Sequence, residues 1–378
     1  MVTWARGGTD PDAVGALYAR LNELLAGSAT PDAGPMLLAQ TVEEFGSSRS
    51  RITQPLDDVD VVIRTSGSTD GLGHLVGLSL GALTASARAT LARLGGPGQW
   101  VTSLPVHAVA GLQVVLRSAL AGIAPVVYAS PGGFDAPAFA ACVARLAPGE
   151  RHYLSLVPTQ LHRAMDRAPE LLAGFDAILV GGAALAPGLA TRALDAGVRV
   201  VASYGSTETS GGCVYDGVPL DGVEVRLREG RIEIGGLTLA TRYLDTEAQP
   251  FVVDHGRRWL ATHDLGEWVE GRLVVRGRAD DVIISGGVNV NPLDVEAALA
   301  ALAGQWVVVG VPDAEWGERV VALGTGPATL ADVRSATGHL GPAGRPVAVV
   351  RVESLPVRHT GKVDRRAAAA LARRTLQT

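Results

Sequence analysis

Two polar stretches in this chain contain residue types that could bind a nucleotide and its phosphates. Residues 64–74, RTSGSTDGLGH, follow a β-branched run and offer backbone N–H groups and hydroxyls to an anion. Residues 204–210, YGSTETS, place a ring that could stack on a base (Tyr204) beside a hydroxyl (Thr207) and a carboxylate (Glu208). Because Mg²⁺ takes carboxylate oxygens together with substrate phosphates, the second stretch could hold a metal–phosphate complex.

A third stretch, THDLGEW at 262–268, places Asp264 where it could accept hydrogen bonds from both hydroxyls of a ribose. Each stretch also has an ordinary structural explanation. The first is not a Walker A loop, because no Gly-Lys-Ser/Thr follows, and it could be a plain glycine turn. Tyr204 could be a core residue, Glu208 a charge at a helix start, and Asp264 the cap of a turn.

The chain contains a single lysine, Lys362, in HTGKVDRR at 359–366. Since Lys and Arg together number 33, the other 32 are arginines. Lysine is a compact point charge on a thin stem, whereas arginine is a broad planar fork. A lone lysine in this background indicates a slot for a narrow ammonium group, although composition alone equally allows a surface lysine left by chance.

Composition narrows the class of protein. The chain has 378 residues, 47% of them hydrophobic and 19% charged, which is typical of a folded protein with two or three domains. A net charge of −5 argues against a nucleic-acid partner, which would require a clustered basic face. Two cysteines predict neither a disulfide framework nor a metal site. The first ten residues, MVTWARGGTD, form no apolar leader, so we expect a cytoplasmic protein without membrane insertion.

Three segments of the chain differ in their pattern of apolar and polar residues. Residues 59–205 alternate short β-branched runs with longer Ala/Leu runs, which predicts parallel strands covered by helices. Residues 217–277 alternate apolar and polar positions around tight turns, which predicts antiparallel hairpins. After residue 278 comes a mixed unit of about 100 residues, large enough to be a domain. The first 58 residues contain one clear helix, at 12–25, and no assignable role.

The predicted fold class is therefore α/β. We expect a large N-terminal domain, 1–277, with parallel strand–helix layers to about 211 and a small β-barrel-like antiparallel subdomain at about 212–277. A small α+β C-terminal domain, 278–378, would follow.

Five motifs in a fixed order identify the chain as a member of the acyl-adenylate-forming superfamily, which includes acyl- and aryl-CoA synthetases, adenylation domains and luciferase. They are TSGST (65–69), LPVHAVAGL (104–112), YGSTE (204–208), THD (262–264) followed by GRADDVIISGGVNVNPLDVE (277–296), and TGKVDRR (360–366). The resemblance covers about residues 59–366. Within the superfamily, YGSTETSGGCVYDGVPLDGVEV and the short length resemble actinobacterial o-succinylbenzoate–CoA ligases of menaquinone synthesis.

The resemblance implies nucleotide-binding roles for the matching residues. The phosphate loop would consist of Thr65, Ser66, Gly67, Ser68 and Thr69. The segment bordering adenine and the acyl group would consist of Gly181, Gly182 and Ala183. Tyr204, followed by Gly205, would stack on adenine, and Asp264 and Arg278 would bind the ribose.

The resemblance also implies catalytic roles. Thr207 and Glu208 would contact phosphate and Mg²⁺, with Glu208 as the metal ligand. Lys362 would reach the α-phosphate and the carboxylate during adenylation. His107 would shape the acyl pocket, although a structural histidine is the alternative.

Movement and thiol entry are implied as well. The C-terminal domain would be a mobile lid that turns about a hinge at Asp280. Gly286 and Gly287 would form the strip along which the pantetheine of coenzyme A enters.

One departure from the family pattern falls in the phosphate loop. The family usually continues with Gly-x-Pro-Lys-Gly, whereas this chain has DGLGH at 70–74. The lysine is absent, and Asp70 adds a negative charge beside the expected triphosphate. His74 could partly replace the missing cation.

The implied activity is that of an AMP-forming acid–CoA ligase using ATP, Mg²⁺ and coenzyme A. It would adenylate a carboxylic acid, by resemblance o-succinylbenzoate, and transfer the acyl group to the thiol. The alternatives are another aryl- or acyl-CoA synthetase, an adenylation enzyme that loads a carrier protein, and a nucleotide-binding regulator without catalysis. Family members often pair, so a homodimer is an option, but no exposed apolar stripe in the sequence identifies its surface.

Overall fold

The computed structural model describes residues 2–28, 34–65, 73–129, 133–357 and 363–377. The strands are β1 (Thr3–Arg6), β2 (Met36–Ala39), β3 (Val61–Arg64), β4 (Leu75–Leu78), β5 (Gln99–Thr102), β6 (Val126–Val127), β7 (His152–Leu156), β8 (Ala177–Gly181), β9 (Val200–Ser206), β10 (Gly211–Tyr215), β11 (Val218–Pro219), β12 (Val223–Arg228), β13 (Arg231–Gly236), β14 (Arg242–Tyr243), β15 (Phe251–Asp254), β16 (Arg257–Val269), β17 (Arg272–Arg278), β18 (Ile283–Ser285), β19 (Val288–Val290), β20 (Trp306–Asp313), β21 (Gly317–Gly324) and β22 (Ala348–Arg351).

Of the helices in the described residues, eleven lie between these strands along the chain, and the last follows β22. They are α1 (Pro11–Leu25), α2 (Val42–Ser50), α3 (Leu80–Leu94), α4 (Val109–Ala121), α5 (Ala136–Val143), α6 (Pro158–Arg167), α7 (Pro169–Leu172), α8 (Pro187–Asp195), α9 (Pro292–Leu299), α10 (Leu330–Ala336), α11 (Gly341–Gly344) and α12 (Arg365–Gln377). None of the helices in the described ranges is long and apolar enough to cross a membrane.

The chain separates into two compact units. Unit 1 contains Met1–Leu185, Arg192–Arg226 and Glu233–Thr262, and unit 2 contains Ala186–Thr191, Leu227–Ile232 and His263–Thr378. The predicted domain boundary before Arg278 and the hinge at Asp280 stay predictions.

A seven-stranded sheet of unit 1 has the order β11-β10-β9-β8-β7-β5-β6. Strands β5 to β9 run parallel to their neighbours, and β10 and β11 add an antiparallel edge. Helices lie between successive parallel strands along the chain, as they must when parallel neighbours are joined by crossovers. The predicted α/β class is confirmed.

A second sheet of unit 1 has the order β1-β2-β3-β4-β14. Strands β1, β2 and β3 are parallel, whereas β4 pairs antiparallel with both β3 and β14. The first predicted strand, β3, therefore lies outside the large parallel sheet. The physical reason is that β4 follows it directly as a hairpin partner, with no crossover helix between them.

One hydrophobic core of unit 1 contains side chains of this second sheet and of helices α1, α3 and α4. Leu21 of α1, Leu83 of α3 and Leu112 of α4 belong to one buried cluster with Ile63 and Leu78 of the strands. Burying a side chain of this size contributes roughly 1.5–3 kcal/mol. Helix α1 starts where Asp10 accepts a hydrogen bond from the N–H of Ala13 at 3.0 Å, so the predicted helix at 12–25 is confirmed.

In unit 2, a sheet of order β19-β18-β21-β20 also carries β22, which pairs parallel with β21. Strands β20 and β21 place alternate residues in two different cores, as the two-residue period of a strand requires. Val307, Val309 and Val311 of β20 pack with Ala368 and Ala372 of α12. On the opposite face, the intervening Val308 packs with Val295 and Leu299 of α9.

Candidate active site

The two ends of the predicted phosphate loop lie side by side at the mouth of the β3–β4 hairpin. The backbone N–H of Thr65 donates to the carbonyl of His74 at 2.8 Å. In return, the backbone N–H of His74 donates to Oγ1 of Thr65 at 2.9 Å. The predicted loop residues Ser66, Gly67, Ser68 and Thr69 lie outside the described residues. The structure thus places both ends of the loop at one point of unit 1.

A buried carboxylate, Asp245, supports the C-terminal end of this loop. Its side chain is only 3% exposed. Oδ2 accepts from the guanidinium of Arg51 at 2.5 Å, and Oδ1 accepts from the backbone N–H of Leu75 at 3.2 Å. The same Arg51 nitrogen, Nη2, also donates to the carbonyl of Gly73 at 2.7 Å. Arg51 and Asp245 therefore hold the end of the loop by an ion pair and two backbone contacts.

Tyr243 connects the loop to the YGSTE stretch. Its ring stacks on the imidazole of His74, with centroids 4.3 Å apart and planes 14° from parallel. Its hydroxyl donates to Oε1 of Glu208 at 2.7 Å. His74 and the predicted metal ligand Glu208 thus contact the same tyrosine, one at its face and the other at its hydroxyl.

Glu208 lies in a short 3-10 turn, Thr207–Thr209, that follows β9. Two hydrogen bonds fix this turn. The backbone N–H of Ser206 donates to Oγ1 of Thr209 at 2.8 Å, and the N–H of Ala240 donates to the carbonyl of Glu208 at 2.8 Å. Tyr204 and Thr207 are half-buried beside it. The end of β9 therefore holds Tyr204, Gly205, Thr207 and Glu208 within one short segment, as expected at the carboxyl edge of a parallel sheet.

At two predicted positions of this edge, Gly181 and Gly205, the backbone of the neighbouring strand lies too close to admit a side chain. An added Cβ at Gly181, the last residue of β8, would lie 2.8 Å from the carbonyl oxygen of Ser203 on the neighbouring β9. At Gly205 the corresponding atom would lie 2.2 Å from the carbonyl oxygen of Gly211 on β10. Gly182 has a positive φ of 82°, and Gly182 and Ala183 are exposed at the end of β8.

We expect Gly205→Ala to lower the free energy of unfolding by about 1–3 kcal/mol, since the β9–β10 pair must separate to admit the methyl group. Urea denaturation monitored by circular dichroism measures this. Gly15→Ala is the matched control, because an added Cβ at Gly15, inside α1, meets no atom within 4 Å. That substitution should leave stability unchanged or raise it. Equal stabilities of the two variants would contradict the packing assignment.

His107 lies two residues before α4, packed by the N-terminal segment. An added Cβ at Gly7 would lie 2.6 Å from Cβ of His107. The N–H of Val106 donates to the carbonyl of Gly8 at 2.9 Å. The segment after β1 thus fixes the backbone that carries His107, whose catalytic role stays a prediction.

In unit 2, the predicted ribose-binding residues face each other across β16 and β17. Asp264 pairs with Arg278 in the strand register, and Oδ1 of Asp264 lies 3.5 Å from Nη1 of Arg278. Nε and Nη2 of Arg278 also donate to the two carboxylate oxygens of Asp280, each at 2.8 Å. The structure therefore brings Asp264, Arg278 and the predicted hinge residue Asp280 together.

The pKa values of Arg278 and Asp280 favour the ionised forms. Hydrogen bonding to Asp280 raises the pKa of Arg278 above its ordinary value, and the charge of Asp264 adds to that effect. Burial acts to raise the pKa of Asp280, but the hydrogen bonds and charge of Arg278 outweigh it and hold that pKa below its usual range. The pair at the predicted hinge is therefore an ion pair at neutral pH.

The predicted thiol-entry glycines form the turn between β18 and β19. Gly286 and Gly287 have positive φ values of 56° and 79°. An added Cβ at Gly286 would lie 2.7 Å from the ring of Trp316, whereas Gly287 has no atom within 4 Å of that position. The conformation explains both glycines by the turn alone, so their role in thiol entry stays a prediction.

Lys362 lies outside the described residues, but the chain on both sides of it is fixed in unit 2. Val357 and Val363 form an antiparallel bridge, and the N–H of Asp364 donates to the carbonyl of Pro356 at 2.8 Å. Arg365 binds Glu296 through two contacts of 2.6 and 2.9 Å. The residues on the two sides of the segment that contains Lys362 therefore lie next to each other.

The donor set suits Mg²⁺ bound together with phosphates. Within the described ranges, no group of three or more His, Cys, Asp or Glu side chains could hold a metal ion by itself. Mg²⁺ at phosphate sites usually takes one or two carboxylates, with phosphates and waters as the remaining ligands. Glu208 offers such a carboxylate, since Oε1 accepts from Tyr243 and Oε2 accepts from none of the residues that the structure describes.

Sequence reasoning missed Arg51, Tyr243 and Asp245. Arg51 and Asp245 are 194 positions apart, and neither lies in one of the five motifs. The only signal was the acidic and aromatic pair within RYLD at 242–245, which has no recognisable spacing to the loop.

Residues 16–279 match the family of AMP-binding enzymes, and the chain belongs to this family. The predicted membership is confirmed. A probable 2-succinylbenzoate–CoA ligase of Mycobacterium tuberculosis is 44% identical over 334 residues, covering 84% of this chain and 85% of that protein. A 2-succinylbenzoate–CoA ligase of Salmonella typhimurium is 33% identical, covering 76% of this chain and 62% of that protein.

Solved structures show the same fold. An o-succinylbenzoate–CoA synthetase from Bacillus subtilis, in complex with its acyl-adenylate intermediate, superposes with a TM-score of 0.72 at 23% identity. The superposition covers 93% of this chain and 80% of that one.

Proposed function

We propose that this enzyme is an AMP-forming acid–CoA ligase that acts on 2-succinylbenzoate. The observation that carries the proposal is the 44% identity to the mycobacterial 2-succinylbenzoate–CoA ligase over most of both chains. The loop ends, the Glu208 turn and the Asp264–Arg278 pair support it, because they supply candidate phosphate, metal and ribose contacts.

In the first half-reaction, a carboxylate oxygen of the acid attacks the α-phosphorus of ATP. The bond between the α-phosphorus and its bridging oxygen breaks, and pyrophosphate leaves. Both reactants are anions, so catalysis depends on positioning them and offsetting their repulsion. Lys362 would place its ammonium group at the α-phosphate and the carboxylate. Thr207 would contact phosphate, Glu208 would hold Mg²⁺, which screens the phosphate charge when bound, and His107 would line the acyl pocket.

In the second half-reaction, the sulfur of coenzyme A attacks the acyl carbonyl, the thiol loses its proton to solvent, and AMP leaves. The lid is proposed to turn about Asp280, which removes Lys362 and brings Gly286 and Gly287 to the pantetheine. The Arg278–Asp280 ion pair would have to adjust during that turn, since hinge residues absorb large backbone changes. The proposed location is the cytoplasm, where ATP and coenzyme A are both supplied.

The test is to incubate the enzyme with 2-succinylbenzoate, ATP, Mg²⁺ and coenzyme A. Release of pyrophosphate and a coenzyme A thioester detected by mass spectrometry are the expected results. Benzoate and succinate, which each carry part of the substrate, are the matched acid controls and should react far more slowly. Equal turnover of all three acids would contradict the proposed substrate.

Pyrophosphate release without a thioester would favour a carrier protein as acceptor, and a panel of carrier proteins would then identify it. Absence of pyrophosphate with every acid would favour a non-catalytic regulator.

A further inference from the structure

We propose that Arg258 is a positioning residue for Glu208. The chain segment 240–243 contacts Glu208, and the guanidinium of Arg258 binds that segment. Arg258 lies in β16, outside the five motifs, and the resemblance assigns it no role. The inference rests on the proposed function only to the extent that Glu208 takes part in adenylation.

The 240–243 segment contacts Glu208 at both of its ends. The backbone N–H of Ala240 donates to the carbonyl of Glu208 at 2.8 Å. Three residues later, the hydroxyl of Tyr243 donates to Oε1 of Glu208 at 2.7 Å. The segment therefore holds both the backbone and the carboxylate of Glu208, and a shift of the segment would displace both.

Arg258 binds the same segment through two successive carbonyls. Nη1 donates to the carbonyl of Ala240 at 2.7 Å, and Nη2 donates to the carbonyl of Thr241. On the other side of the peptide unit that joins these two residues, the N–H of Thr241 donates to the carbonyl of Gly77 in β4 at 2.8 Å. This peptide unit is therefore bonded on both sides, to β16 and to β4. The guanidinium also lies over the ring of Phe251, 3.7 Å from its centroid, which holds the side chain beside the segment.

The guanidinium of Arg258 serves here as a hydrogen-bond donor rather than as half of an ion pair. Burial lowers the pKa of Arg258, and the charge of Arg242 lowers it further. Among the residues that the structure describes, no carboxylate pairs with Arg258 to offset this cost. Since a half-buried charge without a counter-ion is unfavourable, the carbonyl contacts and the Phe251 ring are the interactions that keep the guanidinium in place.

The first test is a double-mutant cycle on adenylation. Arg258→Met keeps an unbranched side chain and removes every donor. It should lower the rate of pyrophosphate release about 10- to 100-fold, as expected for the loss of hydrogen bonds from a charged group. In a Glu208→Ala background no carboxylate remains to be positioned, so Arg258→Met should there cost less than about twofold. Arg258→Lys keeps the charge but places its donors on one nitrogen, and its rate should lie between those of the wild type and Arg258→Met.

Arg257→Ala is the matched control for this cycle. It removes the neighbouring arginine of β16, which is 66% exposed and pairs with Glu224 at 2.6 Å, and it should leave the rate unchanged. A purely structural role of Arg258 predicts equal losses with and without the Glu208 carboxylate, and that result would overturn the inference. A wild-type rate in Arg258→Met would overturn it as well.

The second test does not depend on the substrate. Deuterium exchange of peptides that cover 238–244, measured by mass spectrometry, reports the opening of the hydrogen bonds donated by Ala240 and Thr241. Their exchange should be about tenfold faster in Arg258→Met and unchanged in Arg257→Ala. Unchanged exchange in Arg258→Met would overturn the inference whatever the substrate is. Absence of turnover with every acid would instead reject the proposed function, while the exchange rates still decide whether Arg258 holds the segment that contacts Glu208.

Discussion

Lys362→Ala is expected to lower the rate of adenylate formation by about 10²–10³, while transfer from a supplied acyl-adenylate to coenzyme A largely survives. The reason is that the ammonium group is proposed to offset repulsion between two anions only in the first half-reaction. Lys362→Arg should be nearly as damaging, because a planar guanidinium does not fit a slot shaped for a narrow ammonium. Pyrophosphate release and thioester formation are measured separately.

Arg373→Ala is the matched control for this experiment. Arg373 is exposed on α12, the helix that begins three residues after Lys362, so the substitution removes one positive charge from the same unit. Both half-reactions should be unaffected. Equal losses of both half-reactions in Lys362→Ala would refute the assigned role.

Glu208→Gln is expected to lower adenylate formation by about 10² and to raise the Mg²⁺ concentration required for half-maximal rate. Glutamine keeps the shape and an oxygen that can accept from Tyr243, but it removes the negative charge that a hard cation requires. Titration of Mg²⁺ at saturating ATP measures the change.

Tyr243→Phe is the companion variant. It leaves the carboxylate but removes the hydroxyl that donates to Glu208 at 2.7 Å. Since a hydrogen bond to a charged group contributes about 1.5–3 kcal/mol, we expect a smaller loss, with less change in the Mg²⁺ requirement. An unchanged Mg²⁺ requirement in Glu208→Gln would exclude Glu208 as the metal ligand.

Ion pairs in unit 2 connect the start of α12, which follows the Lys362 segment, to the residues next to the predicted hinge. Arg365 binds Glu296 and lies 3.7 Å from Asp281, next to Asp280. Burial acts to lower the pKa of Arg365, but the charge of Glu296 outweighs it and raises that pKa. The start of α12 is thus tied by ion pairs to the turn that contains the hinge residue.

Local patterns predicted much of the fold. The helix at 12–25 was predictable from its apolar spacing, and Asp10 caps it one residue before Pro11. Strands β5 to β8 were predictable because each is a β-branched run followed by a helical run, and β9 is the β-branched run that closes the series. The hairpin partner β4 was missed, since LVGL at 75–78 is too short to show a period and merges with the helix that follows. Strands β1 and β2 were also missed, because a proline- and glycine-rich context conceals four-residue strands.

The sequence predicted which residues belong to the motifs, but it did not predict all of the contacts between their side chains. The carboxyl edge of a parallel sheet gathers strand ends, so Gly181 and the segment after β9 could be expected near each other. The ion pair at Asp264 and Arg278 depends on the register of two strands, which a two-residue turn at 270–271 and a bulge between Leu265 and Gly266 determine together. No sequence rule indicated that Arg278 would also bind Asp280.

By itself, the sequence determined the α/β class, the order of the motifs and the absence of a loop lysine, because each depends on neighbouring residues or on local period. Only the tertiary structure decided which groups support the loop. Arg51 and Asp245 meet across 194 positions of chain, and Tyr243 joins His74 to Glu208. Contacts of this kind depend on how sheets and loops pack in three dimensions. They join residues that are far apart in the sequence, so they produce no repeating pattern of residue types.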